Sequence, residues 1–186
     1  MPRFSICVSS FNDADFLTPC INSVISQSFS DFELVIVDDG STDKTSSILD
    51  CFVERDRRIK IISKKYNEGV HLGRKTAVEQ SVGDYVVFLD SDDELKEGAL
   101  LALDSFFCKF PECDYLHFGM DVNNKGDFDE TTVFNFDKQA NFDFDCNSSD
   151  DLLSSSFITF ESDWRVIQRC FSSKLAKRAF ASMTSE

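Results

Sequence analysis

The chain lacks several features that would assign it to other classes of protein. Its 186 residues contain no apolar run close to the ~20 residues that a membrane span needs. Its first residues, Met1-Pro2-Arg3-Phe4, have no signal-peptide pattern. A formal charge of -14 leaves no basic face that could replace the counterions of nucleic acid phosphates. We therefore expect a soluble protein with no nucleic acid partner.

Paired cysteines, repeats and proline-rich linkers are also missing. The seven cysteines are scattered without a Cys-x-x-Cys pair, so neither a disulfide framework nor a structural zinc site is indicated. Reduced, mostly buried thiols are expected, as in a cytoplasmic protein. The 42% apolar content of the 186 residues suits one domain with a sizeable core.

The first part of the chain alternates short apolar runs with segments of helical period. This alternation predicts an α/β fold with a mostly parallel central sheet and flanking helices. The predicted strands are Phe4–Val8, Phe32–Val37, Ile59–Ile62, Tyr85–Leu89 and Tyr115–Phe118. The first predicted helix runs from Leu17 to Ser28 with Asp15 as cap, and the second follows a cap at Thr42 or Asp43 and has Ile48, Leu49, Phe52 and Val53 as its buried stripe. The third runs from about His71 to Gln80, and the fourth from about Lys96 to Phe110 before Pro111.

The second part of the chain is irregular. The stretch Phe134 to Asp145 alternates Phe with Asp and Asn, and Asn147 to Ser156 reads as an exposed loop. We therefore predict a regular core over residues 1–119 and an irregular segment over residues 120–186.

Carboxylates follow two of the predicted strands. Asp90-Ser91-Asp92-Asp93 comes directly after the fourth strand, and Asp38-Asp39-Gly40 follows the second. Parallel strands bring these carboxylates to one edge of the sheet, where open α/β proteins bind ligands. Two aspartates separated by one residue can hold Mg²⁺ or Mn²⁺ and leave coordination positions for phosphate oxygens. A solvated acidic turn before a helix is the alternative.

Other residues at the same edge fit a nucleoside diphosphate. Asp38 or Asp39 could accept a hydrogen bond from a uracil N3–H or from ribose hydroxyls, and Phe11 could stack on a base. Arg74, shortly after Asn67-Glu68-Gly69, could meet the diphosphate, although a simple salt bridge explains it equally well.

Together these motifs resemble glycosyltransferase family 2, the inverting, nucleotide-sugar-dependent enzymes of the GT-A fold. The resemblance is carried, in order, by Ser5–Asn12, Ser26–Phe29, Phe32–Asp43, Asn67–Gly69, Arg74 and Gly83–Asp93. It covers residues 3–119 well and the remainder weakly. It implies a metal-assisted transfer of a sugar from a nucleoside-diphosphate donor, with a UDP-sugar expected, to an acceptor hydroxyl in the synthesis of a cell-surface polysaccharide or glycan.

The resemblance also implies roles for single residues. Ser9, Phe11 and Ser91 would border the nucleotide, Asp39 would bind the base, and Arg74 would approach the base or the diphosphate. Asp90 and Asp92 match the Asp-x-Asp motif that holds the divalent metal, and Asp93 would lie close to the donor sugar. The acceptor would be a glycan or a lipid-linked molecule.

Two departures from the family pattern bear on catalysis. Ser10-Phe11 replaces the usual residues before Asn12 and lacks the phenol hydroxyl. The catalytic base of the family is a carboxylate far downstream, for which Asp163 is the candidate here. If Trp164-Arg165-Val166 instead matches a segment that precedes the base, the chain would end before that carboxylate, and the domain would bind donor without transferring sugar.

The basic segment from Trp164 to Phe180 has two interpretations. It could contact an anionic membrane surface, at the inner face of the plasma membrane, or form an ordinary surface helix with a basic outer face. If the chain ends before its base, this segment should exchange its amide hydrogens faster than residues 4–118.

Two other enzyme classes fit the sequence less well. A Rossmann-type oxidoreductase needs a glycine-rich turn after its first strand, and Val8-Ser9-Ser10-Phe11-Asn12 contains no glycine. A sugar nucleotidyltransferase needs a glycine-rich, basic triphosphate loop, which the first residues lack.

Overall fold

The computed structural model describes residues 1–117 and 169–181, which form one six-stranded sheet with helices on both faces. The strands are β1 (Phe4–Ser10), β2 (Phe32–Asp38), β3 (Ile59–Ser63), β4 (Tyr85–Phe88), β5 (Tyr115–His117) and β6 (Arg169–Ser172). Their order is β3-β2-β1-β4-β6-β5. Strands β1 to β4 run parallel to one another, and β6 is antiparallel to both β4 and β5.

Within the described residues, five helices cover the sheet: α1 (Leu17–Ile25), α2 (Thr45–Val53), α3 (Val70–Gln80), α4 (Ala99–Lys109) and α5 (Ser173–Ala181). Alternate residues of β1 point to opposite faces. Ile6 and Val8 pack in the core that includes residues of α1, α2 and α4, whereas Cys7 packs in the core that includes residues of α3 and α5. Since both faces are buried, the central strands are continuous apolar runs.

The predicted fold class and mostly parallel sheet are confirmed, and the ends of most elements move by one to three residues. The predicted cap of α1 is wrong: α1 begins after Phe16, with no side-chain capping bond. Asp43 does accept a hydrogen bond from the backbone N–H of Thr45, the first residue of α2, at 2.9 Å. The fourth helix begins at Ala99 because Gly98, at φ 77°, takes a left-handed conformation before it.

The sequence did not predict β6. Arg169–Ser172 lies between β4 and β5, and Cys170 and Phe171 are buried. The expectation of a surface helix over the whole basic segment is therefore wrong for Arg169–Ser172. These four residues form a strand within the sheet. The division at residue 119 stays a prediction, since residues 118–168 lie outside the described part of the chain.

Apolar residues of the basic segment pack inward. Phe180 lies 5.7 Å, ring centre to ring centre, from Phe88 of β4, and Leu175 packs against the same core. Lys174 and Arg178 are exposed on α5, which gives this helix the basic outer face that was expected. Among the described helices, none has both the length and the apolar character required to cross a bilayer.

Candidate nucleotide and metal site

The carboxyl ends of β1, β2 and β4 lie side by side. Ser10 of β1 is in register with Asp38 of β2, and the backbone N–H of Leu89, just after β4, donates to the carbonyl of Cys7. The chain segments that follow these strands carry most of the residues proposed from the sequence. Asp163 lies outside the described residues.

An acidic cluster follows β4. Asp90, Asp92 and Asp93 each offer a carboxylate oxygen within 4.8 Å of the others. Burial, and then the nearby Asp92 and Asp90, raises the pKa of the Asp93 carboxyl to about 6. Hard oxygen donors held this close fit a divalent cation such as Mg²⁺ or Mn²⁺. Asp93, assigned to the sugar from the sequence, is thus placed as a possible third ligand.

Arg74 of α3 faces this cluster. Its Nη2 donates to Oδ1 of Asp90 at 2.6 Å, and its side chain is largely buried. The salt bridge considered from the sequence is therefore present. It also places a guanidinium beside the acidic cluster, where it can donate to phosphate oxygens.

Asp38 is engaged within its own turn. Its Oδ1 accepts from the Ser41 backbone N–H at 2.9 Å, and its Oδ2 accepts from the Ser46 hydroxyl at 2.7 Å. The carboxylate is almost fully buried. These contacts explain Asp38 as an anchor of the loop between β2 and α2.

Asp39 contacts the segment that leads into α3. Its Oδ2 accepts from the backbone N–H groups of Glu68 and Gly69 at 3.0 and 2.8 Å. Its Oδ1 lies 3.1 Å from Nζ of Lys64, which also pairs with Glu68 at 2.9 Å. Sequence reasoning missed Lys64. It could have been noticed only as a positively charged residue directly after β3, which ends at this edge of the sheet.

Glycine allows this segment to pack closely. Gly40 has φ 79°, and a Cβ there would come within 2.7 Å of the Tyr66 carbonyl carbon. The turn after β2 therefore lies directly against the backbone at Tyr66, which holds Asp39 against residues 64–69.

The end of β1 presents one half-buried group, Ser9, and one exposed group, Phe11. A Cβ on Gly73 would lie 2.0 Å from Oγ of Ser9, so α3 packs directly against the Ser9 hydroxyl. Phe11 is 40% exposed, which leaves part of its ring available for stacking on a base.

Asp13 is the second residue that sequence reasoning missed. One of its carboxylate oxygens accepts from the Phe11 backbone N–H at 2.9 Å and from the Ser91 hydroxyl at 2.6 Å. It thereby joins the segment after β1 to the acidic cluster after β4.

The match to a protein family decides how this edge is interpreted. The family described as "Glycosyl transferase family 2" matches residues 5–172, which is most of the chain. The chain belongs to glycosyl transferase family 2. The resemblance seen in the motifs is confirmed, and the sheet and its helices form the GT-A fold of the structural neighbours.

Two curated relatives align with this chain over part of their own length. The GalNAc(5)-diNAcBac-PP-undecaprenol beta-1,3-glucosyltransferase of Campylobacter jejuni is 38% identical over 104 residues, or 55% of this chain and 34% of the relative. The PGL/p-HBAD biosynthesis glycosyltransferase of Mycobacterium bovis is 33% identical over 137 residues, or 74% of this chain and 54% of the relative. The alignments thus span about a third to a half of the length of these two relatives.

A solved structure of S. aureus TarS has the same fold. Residues 1–349 of S. aureus TarS superpose with a TM-score of 0.69 at 25% identity, over 96% of this chain and 49% of that one. The same protein in complex with UDP-GlcNAc gives a TM-score of 0.62 at 32% identity, over 69% of this chain and 37% of that one.

Proposed function

We propose that this family 2 domain transfers a sugar from a UDP-sugar to an acceptor hydroxyl with inversion and with the help of a divalent metal. The observation that carries the proposal is the acidic cluster of Asp90, Asp92 and Asp93, which lies beside Arg74 at the carboxyl end of the parallel strands. S. aureus TarS, which superposes on this chain, has been crystallised with UDP-GlcNAc and with UDP.

The donor would be held by residues from three strand ends. Phe11 would stack on the base, Ser9 and Ser91 would border the nucleotide, and Arg74 would donate to the diphosphate. Asp90 and Asp92 would hold the metal, whose positive charge favours departure of the nucleoside diphosphate. Asp93 would accept a hydrogen bond from the donor sugar or complete the set of metal ligands.

We assign recognition of the uracil base to Asp39 rather than Asp38. Both oxygens of Asp38 already accept hydrogen bonds within the β2–α2 loop. Oδ1 of Asp39 faces only the ammonium group of Lys64 among its described partners, so a uracil N3–H could share this oxygen. The carboxylate is almost fully buried. Binding of uracil would therefore require residues 64–69 to shift.

The acceptor hydroxyl would lose its proton to a carboxylate, for which Asp163 remains the candidate. A single displacement would then invert the anomeric carbon. We propose a glycan or lipid-linked acceptor in cell-surface glycan synthesis, since the C. jejuni relative is named for a glycan carried on undecaprenol diphosphate. A lipid-linked acceptor would place the reaction in the cytoplasm at the inner face of the plasma membrane.

Calorimetry with UDP tests the donor and metal assignments together. Wild-type protein should bind UDP at least about 10-fold more tightly in Mn²⁺ than in EDTA, because phosphate oxygens complete the coordination shell. Asp92→Ala should remove this difference. Asp50→Asn, an exposed change of charge on α2, should leave it intact.

The outcomes separate the parts of the proposal. Equal UDP affinity in Mn²⁺ and EDTA would contradict the metal assignment. ADP binding as tight as UDP binding would contradict the assignment of Asp39 to uracil recognition. Absence of UDP binding under both conditions would contradict the donor class itself.

A further inference from the structure

The Asp13 carboxylate joins two parts of the site that come from different strands. Its Oδ2 accepts from the backbone N–H of Phe11, the proposed base-stacking residue, at 2.9 Å. The same oxygen accepts from the hydroxyl of Ser91, between the two proposed metal ligands, at 2.6 Å. Hydrogen bonds to an ionised acceptor are among the stronger ones in proteins.

The backbone of Asp13 is held by a third segment. Its N–H donates to the Thr45 hydroxyl at 3.1 Å, and Thr45 at the start of α2 is fully buried. The N–H of Ala14 donates to the Asp43 carboxylate at 3.2 Å. The Asp13 carbonyl accepts from the N–H groups of Phe16 and Leu17 at the start of α1. Asp13 is therefore a fixed point from which its side chain reaches the β4 end.

Ser91 transmits this position to the acidic cluster. Ser91 as a whole residue is 7% exposed, so its hydroxyl has little access to water as an alternative partner. Asp90 and Asp92 flank it on the backbone, and their carboxylates converge on one region. A displacement of Ser91 would move both proposed ligands.

We propose that Asp13 is a positioning residue that holds the base-binding and metal-binding segments in one arrangement, so that nucleoside and cation are bound cooperatively. This inference rests on the proposed function. One part of it can be tested without any ligand, namely that Asp13, in the segment after β1, orders residues 89–93.

An alternative is that Asp13 only shapes the turn at Phe11–Asp13. In that case loss of the carboxylate would loosen the turn, and the acidic cluster would be unaffected. The two roles differ in whether Asp13 and Ser91 act as a coupled pair.

The test uses Asp13→Asn, Ser91→Ala and the double variant, with Asp15→Asn as the matched control. Asp15 is exposed two residues away and undergoes the same change of charge. UDP affinity is measured in Mn²⁺ and in EDTA. Each single variant should lose about 10-fold in Mn²⁺ and less in EDTA, as expected for loss of a charge-assisted hydrogen bond. The double variant should be no weaker than the weaker single variant, and Asp15→Asn should stay within about twofold of wild type.

Hydrogen exchange of the ligand-free protein, followed by mass spectrometry, supplies the second measurement. Asp13→Asn should speed exchange in peptides covering residues 89–93 as well as residues 9–13, whereas Asp15→Asn should change neither. Unchanged exchange at 89–93, or additive losses of UDP affinity in the double variant, would overturn the inference. If wild type binds no UDP while Asp13→Asn still speeds exchange at 89–93, the proposed function fails but the positioning role stands.

Discussion

At the scale of residues, the site depends on how buried charges are compensated. Asp39 is 2% exposed, and an isolated carboxylate at such a position would be strongly destabilised. Lys64 lies 3.1 Å from it as an ion pair without the alignment of a hydrogen bond, and two backbone N–H groups contact the other oxygen. This network fixes Asp39 and the start of α3, and through α3 the position of Arg74.

Asp93 is half-buried beside two other carboxylates, Asp92 and Asp90, and this arrangement predicts how stability depends on pH. The folded state raises the pKa of its carboxyl from 3.8 to about 6. The folded protein therefore binds more protons than the unfolded chain across this interval, and its stability falls as pH rises from about 4 to about 6. Asp93→Asn removes this loss and should raise Tm in EDTA at pH 7.5.

The expected rise is about 2–4 °C, because solvent screening at a half-buried carboxylate leaves an effect on the order of 1 kcal/mol. Near pH 4 the two proteins should melt within about 1 °C of each other, since Asp93 is then protonated in the folded state. Thermal unfolding at both pH values measures this, with exposed Glu97→Gln as control. A lower Tm for Asp93→Asn at pH 7.5 would contradict the argument that burial and the neighbouring carboxylates disfavour ionised Asp93.

Sequence reasoning located the edge of the sheet but could not assign its side chains individually. Asp38 and Asp39 are identical neighbours, and only the folded loops show that one is held by Ser41 and Ser46 and the other by residues 64–69. The link from Asp13 to Ser91 spans 78 positions along the chain. Because such a contact has no local pattern, sequence periodicity could not predict it.

At the scale of elements, the strands that were predicted have a clear run of apolar residues, and the one that was missed does not. β1, β2 and β4 are apolar runs buried on both faces, and such runs are readable without knowledge of the fold. β6 has only four residues, begins with Arg169, and pairs with β4 and β5 far earlier in the chain. Its place depends on tertiary pairing and on burial of Arg169 over the Tyr115 ring.

The position of β6 predicts a large contribution of Phe171 to stability. Its ring is 1% exposed and lies 6.0 Å from Phe88 and 5.4 Å from Tyr115, measured between ring centres. Phe171→Ala should lower the free energy of unfolding by about 3–5 kcal/mol, because it leaves a cavity between β6 and its neighbours. Lys174→Ala, an exposed change on α5, should cost no more than about 0.5 kcal/mol.

Urea denaturation of both variants provides the measurement. A cost below about 1 kcal/mol for Phe171→Ala would be the result expected of a loosely attached surface segment. It would contradict the placement of β6 in the sheet. Slow amide exchange at Cys170 and Phe171, matching β4, would support the placement independently.

At the scale of the whole molecule, the described residues account for donor binding better than for catalysis. Proposed ligands for base, diphosphate and metal all lie within residues 9–93 at one edge of the sheet. The family match continues to residue 172, so it spans residues 118–168, which lie outside the described part and include the candidate base Asp163. The order of motifs predicted the family and the fold because the motifs lie at the ends of three strands. The later part of the sequence has no comparable ordered pattern.

This division predicts that donor binding and sugar transfer can be separated by one substitution. If Asp163 is the base, Asp163→Asn should reduce sugar transfer by about 10²–10⁴-fold, because the acceptor hydroxyl keeps its proton. UDP affinity in Mn²⁺ should stay within about twofold of wild type, since Arg74, Phe11 and the acidic cluster are untouched. A radiolabelled UDP-sugar assay with a lipid-linked glycan acceptor measures transfer, and calorimetry measures UDP binding.

Glu161→Gln is the matched control for that experiment, since it removes a neighbouring carboxylate and should leave transfer near the wild-type rate. Transfer that survives Asp163→Asn but fails in Glu161→Gln would move the role of base to Glu161. Tight, metal-dependent UDP binding without transfer by the wild-type protein would instead identify a donor-binding domain whose catalytic carboxylate is not supplied by this chain. In that case the acidic cluster and Asp13 would keep their proposed roles in donor binding, because neither role depends on removal of the acceptor proton.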